Sequence, residues 1–473
     1  MHPEVVLARH HISVMPFGEV CGRVTGVSGL AVAVEGLGGH VAIGDRLDLR
    51  SRGGEGIAAE VVGFTLQEAD APPVAQAMVF GSLDGIGPGT QARLDLWLEP
   101  GSPDACFRDR RPGLAVHESW LGRVIDPLGR PVDGKGSLVS GDVVRPARAA
   151  PPQATDRARL GPRIDLGVRA LDLFTTCRAG QRLGLFAGSG VGKSTLLSML
   201  ARHADCDVAV IALVGERGRE VREFLEDDLG PDGVARSVTV IATSDSPPLM
   251  RREAAYAAMT VAEHFRDQGL SVLLLMDSVT RFCLALREIA LSAGEMPATR
   301  GYPPSVFAEL PRLLERAGPG PVTPAGAAGQ ITALFTVLVE GDDHNEPVAD
   351  AVRGILDGHV VMDRRLGEAG RYPAIDVLRS LSRSVPRCND ADENALTSRA
   401  RRVMSTHAEM SDMIRLGAYK AGSDPDVDEA IVLMPRLEKV LRQGRDEHMS
   451  RLDAFAQLRL ALDPASAAPG GNS

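Results

Sequence analysis

The chain has 473 residues, 44% hydrophobic and 24% charged, with 62 acidic against 52 basic side chains and a formal net charge of −10. This is an ordinary globular mixture with room for about three domains, and its acidity argues against a general nucleic-acid binder, which works by neutralising phosphates with basic surface. Aromatic residues at 4% leave little for base stacking. The six cysteines stand far apart without C-x-x-C spacing, no run of about 18 apolar residues occurs, and the opening MHPEVVLARHHISVMPF lacks the apolar core of a signal peptide. The expectation is a cytoplasmic chain with reduced, mostly buried thiols. Its histidines form no H-E-x-x-H, and the adjacent His10 and His11 read as a solvated turn rather than a metal site.

Residues 1–17 form a short leading segment whose apolar Val5, Val6, Leu7 and Ile12 are interrupted by His10, His11 and Pro16, leaving its conformation open. From 18 to 96 short β-rich pieces alternate with Gly and polar turns, predicting a small antiparallel barrel or sandwich. Residues 97–154 are a Pro- and Gly-rich connector that includes LGRVIDPLGRPVDGKG, read as a strand with tight turns. From 155 to 385 apolar strands alternate with helical stretches, the pattern of a mostly parallel sheet covered on both faces. The predicted strands are 183–186, 208–214, 238–242, 272–276, 331–339 and 359–361, with helices at 195–202, 219–229, 249–268, 280–293 and 305–317. The carboxyl ends of such strands hold the ligand. Residues 386–463 read as wholly helical, and the Pro-, Ala-, Gly- and Ser-rich tail 464–473 as disordered.

Three stretches carry chemistry. In QRLGLFAGSGVGKSTLLSMLAR a short apolar strand leads through a loop of small residues, Ala187, Gly188, Ser189, Gly190, Val191 and Gly192, into a helix beginning near Lys193, Ser194 and Thr195. Such a loop turns its backbone N–H groups onto α and β phosphates, Lys193 reaches the β and γ phosphates, and the Ser194 hydroxyl sits on Mg²⁺. The helix adds its positive end. Ala187 replaces the first glycine of G-x-x-x-x-G-K-[ST], so the match is to a relaxed form whose strand and helix context is right. Downstream, SVLLLMDS ends an apolar strand in Asp277, an acid placed to hold Mg²⁺ through water opposite Ser194. Between them, VGERGREV supplies Glu216, a carboxylate suited to orient an attacking water, and Arg217, a cation suited to transition-state charge. Taken alone, that stretch would read as a charged, solvated turn.

Together with GVRALDLF, MDSVTRF, ALREIALSAGEMPATRGYPPSVFAELPRLLERAG, EGDDHNEP, ILDGHVVMDRRLGEAGRYPAIDV and GAYKAGSDPDVDEAI, these stretches resemble the flagellar export ATPases of the type III secretion class, over residues 18–442. These are relatives of the catalytic subunit of rotary ATP synthases. The resemblance implies a RecA-like P-loop core of the α/β class between an N-terminal β-barrel and a C-terminal helical domain, assembled as a homo-hexamer that hydrolyses ATP with Mg²⁺. It implies Lys193, Glu216, Arg217 and Arg383 as catalytic residues, Ser194 and Asp277 as metal ligands, and Tyr372 as the ring packed on adenine. Arg383, in SLSRSV, corresponds to an arginine lent to the neighbouring subunit's γ-phosphate. The implied partners are a coiled-coil regulator, a central-stalk protein, an export gate at the inner membrane, and export chaperones with their substrates; no nucleic acid is among them.

Alanine at position 187 is common among flagellar members. Gln330 stands where relatives tend to have serine, and PRCND follows the arginine segment where the pattern is more apolar. The short leading segment leaves little room for the amphipathic helix that holds the regulator. Three other functions compete. A virulence injectisome ATPase usually reads differently in the phosphate loop, a noncatalytic ring subunit of a rotary proton pump would lack Glu216, and an RNA-translocating hexamer would carry basic surface and an aromatic platform.

Overall fold

Alternation builds the first unit of the computed structural model, which describes residues 18–65, 72–96, 113–322, 329–339 and 346–463. The expectations for residues 1–17, the Cys106 thiol, the start of EGDDHNEP and the tail lie outside the described residues. In Arg46–Arg50 the leucines Leu47 and Leu49 are buried while Arg46, Asp48 and Arg50 are not, the period-two pattern of a strand with one covered face. Six such strands, β1 (Gly18–Ser28), β2 (Ala31–Glu35), β3 (Arg46–Arg50), β4 (Gly56–Thr65), β5 (Val74–Val79) and β6 (Gln91–Leu96), close in the order β1-β2-β5-β4-β3-β6. Closure removes the exposed edges that an open sheet of this size would present.

Buried charge fixes the barrel to the central domain. Glu60 on β4 accepts from Arg148 and Arg252 at 2.6 Å each, and Arg252 also holds Glu253 at 2.7 Å. Glu60, Glu253 and Arg252 are all at most 5% exposed, so removal of one partner would strand the others in a dry site.

The central sheet is the mostly parallel one that the alternating pattern predicts. Its strands are β7 (Val124–Ile125), β8 (Arg182–Ala187), β9 (Val208–Glu216), β10 (Ser237–Thr243), β11 (Ser271–Asp277), β12 (Gln330–Leu338), β13 (Gly358–Met362) and β14 (Ile375–Ser382), in spatial order β14-β13-β8-β12-β11-β9-β10-β7. Every residue of β9 is buried, as expected where helices cover both faces. Val210, Ala212 and Val214 point into one apolar core with α2 (Pro248–Asp267), α3 (Val279–Ser292) and α4 (Pro304–Leu314). Ile211 and Leu213 point into the other, with α1 (Lys193–His203) and the C-terminal helices α5 (Ala391–Arg415), α6 (Pro425–Leu441) and α7 (Arg451–Leu462).

The structure differs from the sequence reading in three places. Val124–Ile125, read as part of the connector, pairs with β10 and extends the sheet. Ile375–Ser382, where no strand was expected, is an antiparallel edge strand on β13; its half-exposed side chains interrupt the apolar run that marks the buried strands. The single helix expected over 219–229 is instead a short helix, Gly218–Glu223, and a π-turn, Phe224–Leu229. The wider turn places Phe224 and Leu229 together in the core, a spacing that an α-helix would splay apart.

Candidate active site

Because β8, β9, β11 and β13 run parallel, their carboxyl ends meet along one edge of the sheet. Ala187 at the end of β8 leads through the loop to Gly192, the N-cap of α1. Gly192 has φ +87°, and a Cβ there would lie 3.5 Å from the Tyr372 ring. Glycine is thus favoured by the left-handed backbone, while a Cβ would meet the Tyr372 ring only in ordinary van der Waals contact. The loop is also braced from outside, by Arg364 donating to the Ser189 carbonyl at 2.9 Å.

Lys193 opens α1 and reaches across the sheet edge. Its Nζ donates to Asp277 Oδ1 at 2.6 Å and to Glu216 Oε1 at 3.2 Å, and Thr336 Oγ1 donates to the same Asp277 oxygen at 2.7 Å. Burial lowers the lysine pKa, but the two carboxylates outweigh it and hold the ammonium above its ordinary range. Glu216 is pushed the other way from a usual carboxylate, upward, by burial first and by the Asp277 charge second. A carboxylate raised in this way is better matched to accepting a proton near neutral pH.

Glu216 reaches this position through Gly215, whose φ of +70° accompanies a break in the β9 to β10 register. A Cβ on Gly215 would lie 2.8 Å from Arg281 Cδ, and it is Arg281, on the first turn of α3, that stands 3.6 Å from Glu216 Oε1. In the sequence MDSVTRF carries the family resemblance without giving Arg281 a role; its place one helical turn after Asp277 was the available signal. Arg217, the cation read beside Glu216, is exposed and paired with Glu220 at 3.0 Å, outside the lysine cluster.

The other expected residues divide by position. Ser194 is exposed at the start of α1, and Thr195 beside it is partly covered. The oxygen donors Ser194 and Asp277 suit Mg²⁺, which keeps waters and phosphate oxygens for most of its coordination; among the described residues no group of three or more His, Cys, Asp or Glu could hold a metal by itself. Tyr372 is half-exposed beside the loop. Arg383 is elsewhere: β14 runs antiparallel, with Ile375 opposite Met362 and Ser382 opposite Gly358, so Arg383 emerges at the amino edge, an edge separated from the phosphate loop by the length of β8, about 20 Å at a strand rise of about 3.3 Å per residue. Of the described thiols, Cys177 and Cys283 are buried, Cys206 and Cys388 are partly covered, and Cys21 on the barrel is exposed.

A strand, a phosphate-binding loop and a helix, with a carboxylate on each of two neighbouring strands facing the loop lysine, define an ATP-hydrolysing P-loop enzyme. The ATP synthase alpha/beta family nucleotide-binding domain matches residues 167–382, and the C-terminal domain of the type III secretion ATPase EscN matches residues 390–460. The flagellum-specific ATP synthase of Caulobacter vibrioides is 52% identical over 93% of this chain and 95% of its own. The type 3 secretion system ATPase of Xanthomonas euvesicatoria is 44% identical over 98% of each. The assembled ATPase EscN of enteropathogenic E. coli, solved in complex with its central stalk EscO, superposes with a TM-score of 0.80 at 35% identity, covering 93% of this chain and 100% of that one. This chain belongs to the family of flagellum-specific and type III secretion ATPases.

Proposed function

We propose that this chain is the ATP·Mg²⁺-hydrolysing motor of a flagellar protein export apparatus, working as a homo-hexamer on the cytoplasmic face of the inner membrane. The observation that carries the reading is the Lys193–Asp277–Glu216 cluster at the mouth of the phosphate loop. Phosphate oxygens would draw Lys193 from the two acids. The freed Glu216 Oε1 then orients the attacking water and holds its proton, while Arg281 stands beside that oxygen. Ser194 and Asp277 would hold Mg²⁺, which when bound neutralises charge on the β and γ phosphate oxygens. Tyr372 offers a ring for the adenine. Arg383 acts on the next copy, a role favoured by its place at the far edge of its own sheet.

In the cell, hydrolysis would release chaperones and promote export of their substrates through a membrane gate, with a central stalk and a coiled-coil regulator as partners. The assembled, stalk-bound state of EscN supports the ring and the stalk. Among the described residues no helix is long and apolar enough to cross a membrane, consistent with peripheral attachment. Two variants test the division of labour: Lys193→Ala should abolish nucleotide binding, whereas Glu216→Gln should bind ATP·Mg²⁺ yet turn it over about 10²-fold more slowly, the scale of a lost general base. Near-normal turnover by Glu216→Gln would remove it from the mechanism.

A further inference from the structure

Gln181 sits immediately before β8 and is 0% exposed. A buried amide is tolerated when its donors and acceptors are met, and here the two amide donors and two acceptor bonds are all used. Its Nε2 donates to the Asp357 carbonyl at 3.1 Å and to Ser382 Oγ at 2.9 Å. Its Oε1 accepts from the Arg178 N–H at 3.0 Å and from Ser384 Oγ at 2.8 Å.

Three of these partners bracket Arg383. Ser382 and Ser384 are its chain neighbours, and the Asp357 carbonyl also accepts the Arg383 N–H at 2.9 Å. Ser382 Oγ donates onward to the Thr176 carbonyl at 2.9 Å, and the Asp357 carboxylate is held by Arg182 at 3.1 Å. The network fixes the backbone on both sides of Arg383 and makes no bond to its exposed guanidinium. An apolar side chain of similar size would fill the space of Gln181 without needing four partners. What the amide adds is direction.

We propose that Gln181 is the positioning residue for Arg383, setting the angle at which the guanidinium leaves the sheet toward the neighbouring copy's phosphates. This rests on the reading of Arg383 as a group donated to the next subunit. The strand that carries the phosphate loop at one end thereby holds the donated arginine at the other.

Mixed assemblies of full-length protein provide the test. Gln181→Met keeps the length and loses all four bonds. Its affinity for a fluorescent ATP analogue should stay within about twofold, while kcat falls about 10- to 10²-fold, the scale of a reacting group misplaced by about 1 Å. Mixed with Lys193→Ala, which brings a well-held Arg383, it should exceed the summed activities of the two proteins. Mixed with Arg383→Ala, it should not. The reverse pattern, gain with both, or gain with neither would overturn the proposal, because Gln181→Met would then be damaging its own site or acting on something other than the donated arginine. A reference mixture of Lys193→Ala with Arg383→Ala separates the two ideas: if it fails to recover activity in assemblies shown to be mixed, the donated role of Arg383 falls and the proposal falls with it. Should Gln181→Met not fold, Ser384→Ala removes one half-buried bond of the same network; it should lose kcat several-fold with the same pattern of recovery, and unchanged kcat would count against the assignment.

Discussion

The two edges of the central sheet solve opposite problems with the same kinds of residue. At the carboxyl edge Lys193, Glu216 and Asp277 are largely covered and paired with one another, because a charge taken out of water must find a partner within the chain. At the amino edge Arg383 stands in solvent, with no side-chain partner among the described residues, while the backbone on either side of it is clamped. A group that serves its own chain is preassembled together with its counter-charges. On the proposed reading that Arg383 serves another copy, the group is left uncovered while the backbone on either side of it is held.

The comparison breaks most visibly at Arg383. Arg383→Ala should bind ATP as the parent does and hydrolyse it about 10³- to 10⁵-fold more slowly, the range for a donated arginine; equilibrium binding beside single-turnover hydrolysis reads both quantities. A large loss of affinity would instead place Arg383 in its own chain's binding site. The carboxyl edge makes a subtler prediction. Burial and Asp277 raise the Glu216 pKa, and the base must be ionised to act, so kcat/KM should rise with pH through a step lying above the ordinary carboxylate value of about 4.3. Glu216→Gln should lack that step; a variant that retained it would assign the titration elsewhere. The smallest effect belongs to the half-exposed ring beside the loop. Tyr372→Ala should raise KM for ATP about 10-fold with kcat little changed, the scale of one base-stacking contact, and Tyr372→Phe should be near neutral; equal losses in kcat would mean that the ring shapes the loop rather than the adenine site.

Much of the carboxyl edge was legible in the sequence because its signals are local. The loop, Lys193 and the strand ending in Asp277 each sit in one short run, and β9 announces its burial by the unbroken apolar run from Val208 to Val214. Arg217 and Arg281 show where local reading stops. Arg217 adjoins Glu216 in sequence and Arg281 lies 64 positions beyond Arg217, but which guanidinium reaches Glu216 is decided by the left-handed turn at Gly215 and by the packing of α3, a tertiary outcome. The edge strand β14 escapes a sequence reading because one of its faces is wet and its pairing with β13 is long-range in character, with a register break between His359 and Val361. Gln181 is, in the sequence, only the first letter of a motif: apart from the nearby Arg178 its partners are distant in the chain, such as Ser382, 201 positions on, and no spacing rule connects them.

The central claim is that one copy's Lys193–Glu216–Asp277 site is completed by the next copy's Arg383. Lys193→Ala and Arg383→Ala proteins, each inactive alone, should be titrated against each other at concentrations where light scattering and cross-linking show mixed assemblies. In a head-to-tail ring each site has one donating neighbour, so equal mixing should restore activity at about a quarter of the sites, with the maximum at the equal ratio. Mixed assemblies that remain inactive across the titration would contradict the account.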